Sequence, residues 1–241
     1  MRHRHDHVPR LRGVTYLEFL ARMHAQLKPA SYLEVGTRSG RSLEVATGAS
    51  IAVDPAFLIE GNVIGRKPSC LFFQVDSDTF FRTRSPSALF GGPVELAFLD
   101  GLHVFEFLLR DFMNTEKHCE PRSVIALHDC VPLDNRMTAR SFADAPFSFR
   151  WRSRWWTGDV WRLVPVLRTY RPDLTIRILD CPPTGLVLVT NLDPSSRVLD
   201  DAYEQIVAVP LPTGDDLRAY WDSIDLVSSQ TMTTREQMLG G

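Results

Sequence analysis

Acidic and histidine side chains recur through the first half of the chain, at or close behind the ends of short β-prone runs. The residues in these positions are Glu34, Asp54, Asp76, Asp100, His103, His128 and Asp129. The carboxyl ends of parallel strands meet at one edge of an open α/β sheet, where ligands collect. A single aspartate there is usually a turn former or a helix N-cap. An acid at the end of each successive strand indicates a ligand-binding site instead.

The turn Glu34-Val35-Gly36-Thr37-Arg38-Ser39-Gly40 is rich in small residues and follows the first strand. A dinucleotide-binding turn needs G-x-G-x-x-G, and a P-loop needs a lysine after its last glycine. This turn has neither pattern, and Glu34 would repel a phosphate while suiting a ligand with a positively charged end. Asp54 follows about twenty residues later, the spacing at which an acidic side chain binds a ribose hydroxyl.

Strand-like and helical hydrophobic patterns alternate along the chain, which predicts βαβ units and a mainly parallel sheet. The β-prone runs cover residues 31–36, 51–54, 70–75, 94–99, 123–127, 174–179 and 185–190. Helical periodicity covers residues 14–27, 41–47, 79–90, 103–118 and 159–170. These elements place the polar residues named above at the carboxyl edge of the sheet.

The same pattern predicts how the chain is divided. Residues 1–12 form a flexible N-terminal tail, residues 13–195 form the α/β domain, and residues 196–241 form a C-terminal helical extension. Residues 131–158 interrupt the alternation and are predicted to form an inserted lid.

The inserted lid and the helix after it carry four tryptophans, Trp151, Trp155, Trp156 and Trp161. The aromatic faces of Trp155 and Trp156 suit a cover over a substrate. The other interpretation is a hydrophobic patch that packs on the domain or on a second subunit. Trp161 begins an apolar helix face, which favours packing for this residue.

The composition is that of a soluble globular protein of 241 residues with a formal net charge of -2. This charge gives no reason to expect nucleic acid or an anionic membrane as a partner. Four cysteines without a C-x-x-C pair predict free thiols in the reducing cytoplasm. No apolar stretch is long enough for a membrane span. The oligomeric state is left open, and a homo-oligomer is compatible with the sequence.

Residues 31–129 resemble the class I S-adenosylmethionine-dependent methyltransferases in the order of these motifs. The resemblance implies an α/β, Rossmann-like three-layer sandwich with a mainly parallel seven-stranded sheet, whose last strand, at residues 185–190, is antiparallel. It implies S-adenosyl-L-methionine as the cofactor, with the acid of the second strand on the ribose and the acid after the third near the adenine. The cofactor-binding residues that it implies are Glu34, Gly36, Thr37, Gly40, Asp54, Asp76, Ser77 and Asp100.

A narrower resemblance rests on Asp100-Gly101-Leu102-His103 and on His128-Asp129. These segments are similar to those of a bacterial group of small-molecule and sugar O-methyltransferases, some of which hold magnesium with carboxylates. The resemblance implies a divalent cation bound by Asp100 and Asp129 with a histidine nearby, either His128, which is assigned to the set, or His103. This chain departs from the group, which has two adjacent acids after the fifth strand. An imidazole ligand favours a transition metal over magnesium.

The activity implied is O-methylation of a hydroxyl group on a small-molecule acceptor, such as a sugar or a secondary metabolite. His103 is the first candidate for the general base, assisted by Asp100, because an unperturbed imidazole titrates near pH 6.5. The alternatives are that His103 caps the helix it begins and that His128 is a structural histidine. Asp111 is interpreted as a solvated or salt-bridged side chain.

Three other functions fit parts of the pattern. One is an NAD-dependent oxidoreductase, against which the glycine spacing and Glu34 count. Another is a non-catalytic, methyltransferase-like binding module. The third is a metallohydrolase built on Asp100, His103, His128 and Asp129.

Overall fold

The computed structural model describes residues 8–144 and 155–240. Within these ranges the strands form one sheet, in the order β3-β2-β1-β4-β5-β7-β6-β8. Strands β1 to β5 are parallel, whereas β7 is antiparallel to both β5 and β6. The strands are β1 (Ser31–Val35), β2 (Ala49–Val53), β3 (Cys70–Phe73), β4 (Val94–Leu99), β5 (Cys119–His128), β6 (Thr175–Leu179), β7 (Leu186–Thr190) and β8 (Leu226–Val227).

Helices cover both faces of the sheet, so the predicted three-layer sandwich is confirmed. Alternate residues of β1 show the two faces, because Leu33 packs with Phe112 on one side and Tyr32 packs with Phe19 on the other. The α-helices are α1 (Tyr16–Leu27), α2 (Arg41–Glu44), α3 (Ser77–Thr83), α4 (Pro86–Phe90), α5 (Phe105–Glu116), α6 (Leu163–Tyr170), α7 (Val198–Val207), α8 (Gly214–Ser223) and α9 (Arg235–Leu239).

Local sequence signals set the helix boundaries. Helix α1 begins at a capping box formed by Thr15 and Glu18. The single helix predicted for residues 79–90 is two helices, since Ser85 caps a new helix that has Pro86 at its first position. The predicted helix at residues 41–47 is shortened to α2.

The sheet is one strand larger than the seven-stranded sheet that the sequence predicts. The added strand, β8, is two residues long and lies parallel to β6. The C-terminal residues therefore join the sheet, and Leu217 and Tyr220 of α8 are buried in the core. In residues 8–144 and 155–240, none of the helices has the length and apolarity needed to cross a membrane.

Residues 131–158, the predicted lid, are described up to residue 144 and again from residue 155. The first part contains two short 3-10 helices, Asn135–Thr138 and Phe142–Asp144. Trp151 lies outside the described residues. Trp161 is buried and packs on Tyr220 at a centroid distance of 5.0 Å, which confirms its structural interpretation.

Candidate functional site

The register of the parallel strands aligns the predicted site residues side by side at one edge of the sheet. Val35 lies opposite Val53 and Leu99, and Leu99 in turn lies opposite Leu127. The next residues along β1, β2, β4 and β5 are therefore neighbours at the carboxyl edge: Gly36, Asp54, Asp100 and His128. The sheet order reverses between β1 and β4, which is where open α/β sheets bind ligands.

Gly36 allows the turn after β1 to touch the turn after β4. Its φ of +90° favours glycine, and a Cβ there would lie 2.0 Å from the carbonyl oxygen of Asp100. Gly40 has a φ of +82°, and a Cβ there would lie 2.5 Å from Val63. Both glycines predicted in the cofactor turn are thus required by backbone conformation and close packing.

Glu34 lies beneath this turn and is fully buried. The hydroxyl of Tyr32 donates a hydrogen bond to one of its carboxyl oxygens, and Ser42 Oγ donates to the other at 3.1 Å. Burial raises the pKa of Glu34 to about 7, against the opposing effect of these hydrogen bonds. Thr37 is also buried. The structure therefore shows Glu34 organising the turn from inside the protein.

Asp54 and Asp76, predicted on the ribose and near the adenine, have different surroundings. Asp54 is buried, and its two oxygens accept hydrogen bonds from the backbone N–H groups of Arg38 at 2.8 Å and Ala56 at 2.7 Å. Asp76 is exposed and caps α3, accepting from the backbone N–H of Thr79 at 2.8 Å. Ser77 is the first residue of that helix. The cofactor roles of these residues stay predictions.

Asp100, His103, His128 and Asp129 converge at the ends of β4 and β5. His103 Nε2 lies 3.1 Å from Asp129 Oδ2 and 3.6 Å from Asp100 Oδ1. His128 Nδ1 lies 3.1 Å from Asp100 Oδ1 and 3.5 Å from Asp129 Oδ1. Asp129 also accepts a hydrogen bond from the hydroxyl of Thr184 and has a left-handed φ of 59°, a conformation that concentrates at functional sites.

The orientation of His103 is set by the inserted segment. Its Nδ1 lies 2.7 Å from the carbonyl oxygen of Trp156, and since a carbonyl only accepts, Nδ1 carries the proton. Nε2 therefore faces the two carboxylates. The alternative that His103 caps α5 is wrong, because the N-cap residue is Val104 and the first backbone N–H of the helix donates to Asp159 Oδ1 at 2.9 Å.

The two carboxylates change the protonation of the two imidazoles. Burial alone would lower the pKa of His103, but Asp129 and Asp100 outweigh it and raise the pKa to about 9. The pKa of His128 is likewise raised well above its usual value, against its burial, by Asp129 and Asp100. Burial alone would raise the pKa of Asp100, but His128 and His103 outweigh it and hold the pKa well below its usual range. The pKa of His103 in the structure is therefore higher than that of the unperturbed imidazole considered from the sequence.

Three of these residues could hold a metal ion. One candidate ligand atom each from Asp100, His103 and Asp129 lies within 4.8 Å of the others. Of the two histidines that the sequence offers for this set, His103 is the one whose ring nitrogen lies with the two carboxylates. His128 has one ring nitrogen on Asp100 and the other 3.5 Å from Thr184 Oγ1, which fits its structural interpretation.

Two residues near the site have surroundings that the sequence analysis missed. Tyr16 of α1 packs its ring on His128, with centroids 4.1 Å apart, and nothing in its local sequence indicates this contact. Asp111 is 2% exposed, so its interpretation as a solvated side chain is wrong. Its Oδ2 lies 3.5 Å from where a Cβ on Gly101 would be, directly behind the turn after β4.

No family model and no curated protein matches the sequence. A Klebsiella pneumoniae protein assigned as an O-methyltransferase matches with a TM-score of 0.51 and 14% identity, over 77% of this chain and 84% of that chain. Rv0187 from MTB, solved with its cofactor bound, matches with a TM-score of 0.50 and 15% identity, over 76% of this chain and 83% of that chain. At these identities the likeness shows the fold, which is the class I methyltransferase fold that the sequence predicts.

Proposed function

We propose that this chain is an S-adenosylmethionine-dependent O-methyltransferase that acts on a hydroxyl group of a small molecule, such as a sugar or a secondary metabolite. One observation carries the proposal: the Asp100, His103 and Asp129 side chains meet next to the Gly36 turn, at the switch point of a class I methyltransferase fold. A cofactor turn and a group of acid–base side chains thus lie side by side.

The residues at the switch point fit the cofactor. Gly36 lets the β1 turn lie directly against the backbone of Asp100, so the turn and the end of β4 form one continuous border of the site. In this proposal Gly36, Thr37 and Gly40 hold the cofactor, Asp54 binds its ribose, and Asp76 and Ser77 lie at its adenine. Asp100 stays ionised and binds the ammonium group of the methionine part.

S-adenosylmethionine supplies a methyl group on a positively charged sulfur, ready for in-line displacement. The chain aligns the acceptor oxygen with that methyl group and removes the hydroxyl proton. With the cofactor bound, the oxygen–methyl bond would form as the sulfur–methyl bond breaks, which would leave a methyl ether and S-adenosylhomocysteine. We assign proton removal to Nε2 of neutral His103, which then passes the proton to water. Its charged form, favoured by Asp129 and Asp100, must lose a proton first.

A divalent cation is the second part of the proposal. Asp100, His103 and Asp129 would hold it, and it would lower the pKa of an acceptor hydroxyl. The carboxylates suit magnesium, while the imidazole suits a transition metal. Cation binding would occupy Nε2 of His103, so the metal and the free base are alternative ways of activating the same hydroxyl.

Ligand-induced stabilisation tests the proposal. We expect S-adenosylhomocysteine to raise the melting temperature and NAD to leave it unchanged, since a ligand that binds only the folded state stabilises it. His103→Gln and Asp100→Asn should reduce methyl transfer about 100-fold or more while the protein stays folded.

The alternatives give different results in the same assays. Stabilisation by NAD alone would identify an oxidoreductase. Cofactor binding without methyl transfer to any hydroxylated acceptor would identify a binding module. Stoichiometric zinc without any response to adenosyl ligands would favour a metallohydrolase.

A further inference from the structure

We propose that the exposed edge of β3 pairs with the same strand of a second copy of this chain, antiparallel and about a two-fold axis at Phe72. The two sheets then join into one sheet that runs through both copies. This interface does not depend on the proposed function, because it rests on the backbone of β3, on its side chains and on the charges at its two ends.

Strand β3 lies at one end of the sheet and pairs with β2 on one side. The carbonyl oxygens of Ser69 and Phe73 accept hydrogen bonds from backbone N–H groups of β2 and of the residue that follows it, at 3.0 Å and 3.2 Å. Bonding residues alternate along a parallel strand, so the backbone groups of Cys70, Phe72 and Gln74 point away from β2. Among the residues that the structure describes, these outward groups have no hydrogen-bond partner, so the edge can accept another strand.

The side chains of β3 do not protect this edge. Residues 68–75 carry no charge, and Leu71 and Phe72 are each 40% exposed, on opposite faces of the sheet. Proteins commonly protect an end strand from pairing with a charged side chain or by keeping the strand very short. The end strand on the other side of the described sheet, β8, has only two residues and is protected by its length. Strand β3 is therefore the edge that is suited to pairing.

One register pairs all the outward groups of the edge. Phe72 lies opposite Phe72 of the second copy, and Cys70 lies opposite Gln74 of the second copy at both ends of the pairing. Each of these pairs exchanges two backbone hydrogen bonds, and the two Phe72 rings lie side by side on one face, which favours association. Pro68 has no N–H, so the pairing ends before it. Because the same patch is used on both chains, the assembly closes at two copies.

The charges at the two ends of β3 are complementary in this antiparallel arrangement. Arg66 precedes the strand, is exposed and makes no ion pair with the part of the chain that the structure describes. Asp76 and Asp78 follow the strand, and Asp76 is exposed, whereas Asp78 is held by Arg110 at 2.7 Å. Arg66 and Asp78 lie symmetrically about Phe72 in the sequence, so the basic end of one copy faces the acidic end of the other. Parallel pairing would set like charges side by side, so the charges favour the two-fold dimer.

Disulfide crosslinking tests the pairing and its register. Gln74→Cys places a thiol opposite Cys70 of the second copy at a Cα distance of about 5.5 Å, which is within disulfide range. We expect oxidation to join the Gln74→Cys chains into a dimer that a reducing agent separates. The same substitution combined with Cys70→Ser should give no such dimer. Thr83→Cys, at an exposed position at the end of α3, is the matched control and should not crosslink to Cys70.

Sedimentation equilibrium measures the association itself. We expect the unmodified protein to reach twice the 27.3 kDa of one chain at concentrations below about 100 µM. Phe72→Glu brings two carboxylates together at the two-fold axis and should weaken association about tenfold or more. Arg66→Glu should weaken it about threefold, because this charge lies at the rim. Leu89→Glu is the matched control, since Leu89 is also 40% exposed but lies on α4, and it should leave association unchanged.

Three results would overturn the proposal. The first is an unmodified protein that stays monomeric at this concentration, and the second is a dimer that neither Phe72→Glu nor Arg66→Glu weakens. The third is a mass that keeps growing with concentration, which would show open association instead of a closed dimer. If Phe72→Glu fails to fold, Arg66→Glu and the crosslink of Gln74→Cys decide, and the absence of that crosslink would show that the strands do not pair in this register.

Discussion

Asp111 is a buried carboxyl group that lies close to Ser77 and to the turn after β4. It lies on α5 behind Gly101, and the described residues provide no hydrogen-bond partner for its Oδ1. Burial raises the pKa of Asp111 to about 7, with further repulsion from Asp78, and the Ser77 hydroxyl opposes the shift. The neutral acid is therefore the form that the folded protein favours at this position.

Asp111→Asn tests this effect through the pH dependence of stability. An unfolded aspartate has a pKa of about 3.9, so the folded state binds the extra proton between about pH 3.9 and 7. The stability contributed by this proton is complete below about pH 3.9 and is lost as the pH rises through 7. Asparagine mimics the neutral acid, so the variant should lose less stability on going from pH 5 to 8.5.

Urea unfolding at both pH values measures how much stability each protein loses between pH 5 and 8.5. We expect the variant to lose about 1–3 kcal/mol less than the unmodified protein. Asp201→Asn, on the exposed side of α7, removes a carboxyl group without this burial and serves as the control. The burial argument would be contradicted if the free energy of unfolding changed with pH in the same way for the unmodified protein and for Asp111→Asn.

At the scale of elements, the start of α5 depends on the segment that follows the insert. Asp159 is 1% exposed, and its Oδ1 accepts the backbone N–H of Phe105 at 2.9 Å. Its Oδ2 accepts from Arg140 at 2.8 Å and from Arg162 at 3.1 Å. The carboxylate therefore caps a helix that begins two residues after His103 and ties the insert to that helix.

Asp159→Ala should destabilise the protein by about 3–5 kcal/mol, because it removes the cap and leaves buried positive charge without its partner. It should also reduce methyl transfer, since the His103 turn loses its support. Asp159→Asn keeps an acceptor for Phe105 and should retain more activity. Asp200→Ala removes the partner of Lys117 in a more exposed pair and should cost less than about 1 kcal/mol. Equal losses for the two alanine variants, measured by urea unfolding, would contradict this role of Asp159.

The sequence can predict the parts of the site that depend on local signals, but it cannot predict those that depend on contacts between distant residues. Gly36, Asp54 and Asp100 are local signals, because each lies at or directly after the end of a β-prone run, and parallel pairing aligns the strand ends. The orientation of His103 depends on a carbonyl group 53 residues away, which no local pattern encodes. Asp111 is buried because α3 and the Gly101 turn cover it, so its burial depends on tertiary packing alone.

At the scale of the whole molecule, the strand order assembles one site from distant parts of the chain. The first helix provides Tyr16, Asp100 and Asp129 directly follow β4 and β5, and the β6–β7 connection provides Thr184, which donates to Asp129. A ligand held by several of these elements stabilises the complete fold rather than one segment. Metal binding should therefore be visible in global unfolding.

We expect Mn²⁺ to raise the melting temperature of the unmodified protein, and Mg²⁺ to raise it less, because an imidazole ligand favours the transition metal. Asp129→Asn and His103→Gln should each weaken the response, since both residues supply a candidate ligand atom. His128→Gln should retain more of the metal-induced rise in melting temperature, because the two ring nitrogens of His128 face Asp100 and Thr184. Asp201→Asn should retain the full shift. A stronger response to Mg²⁺ would contradict the imidazole ligand, and a response that survives Asp129→Asn and His103→Gln would place the metal elsewhere on the protein.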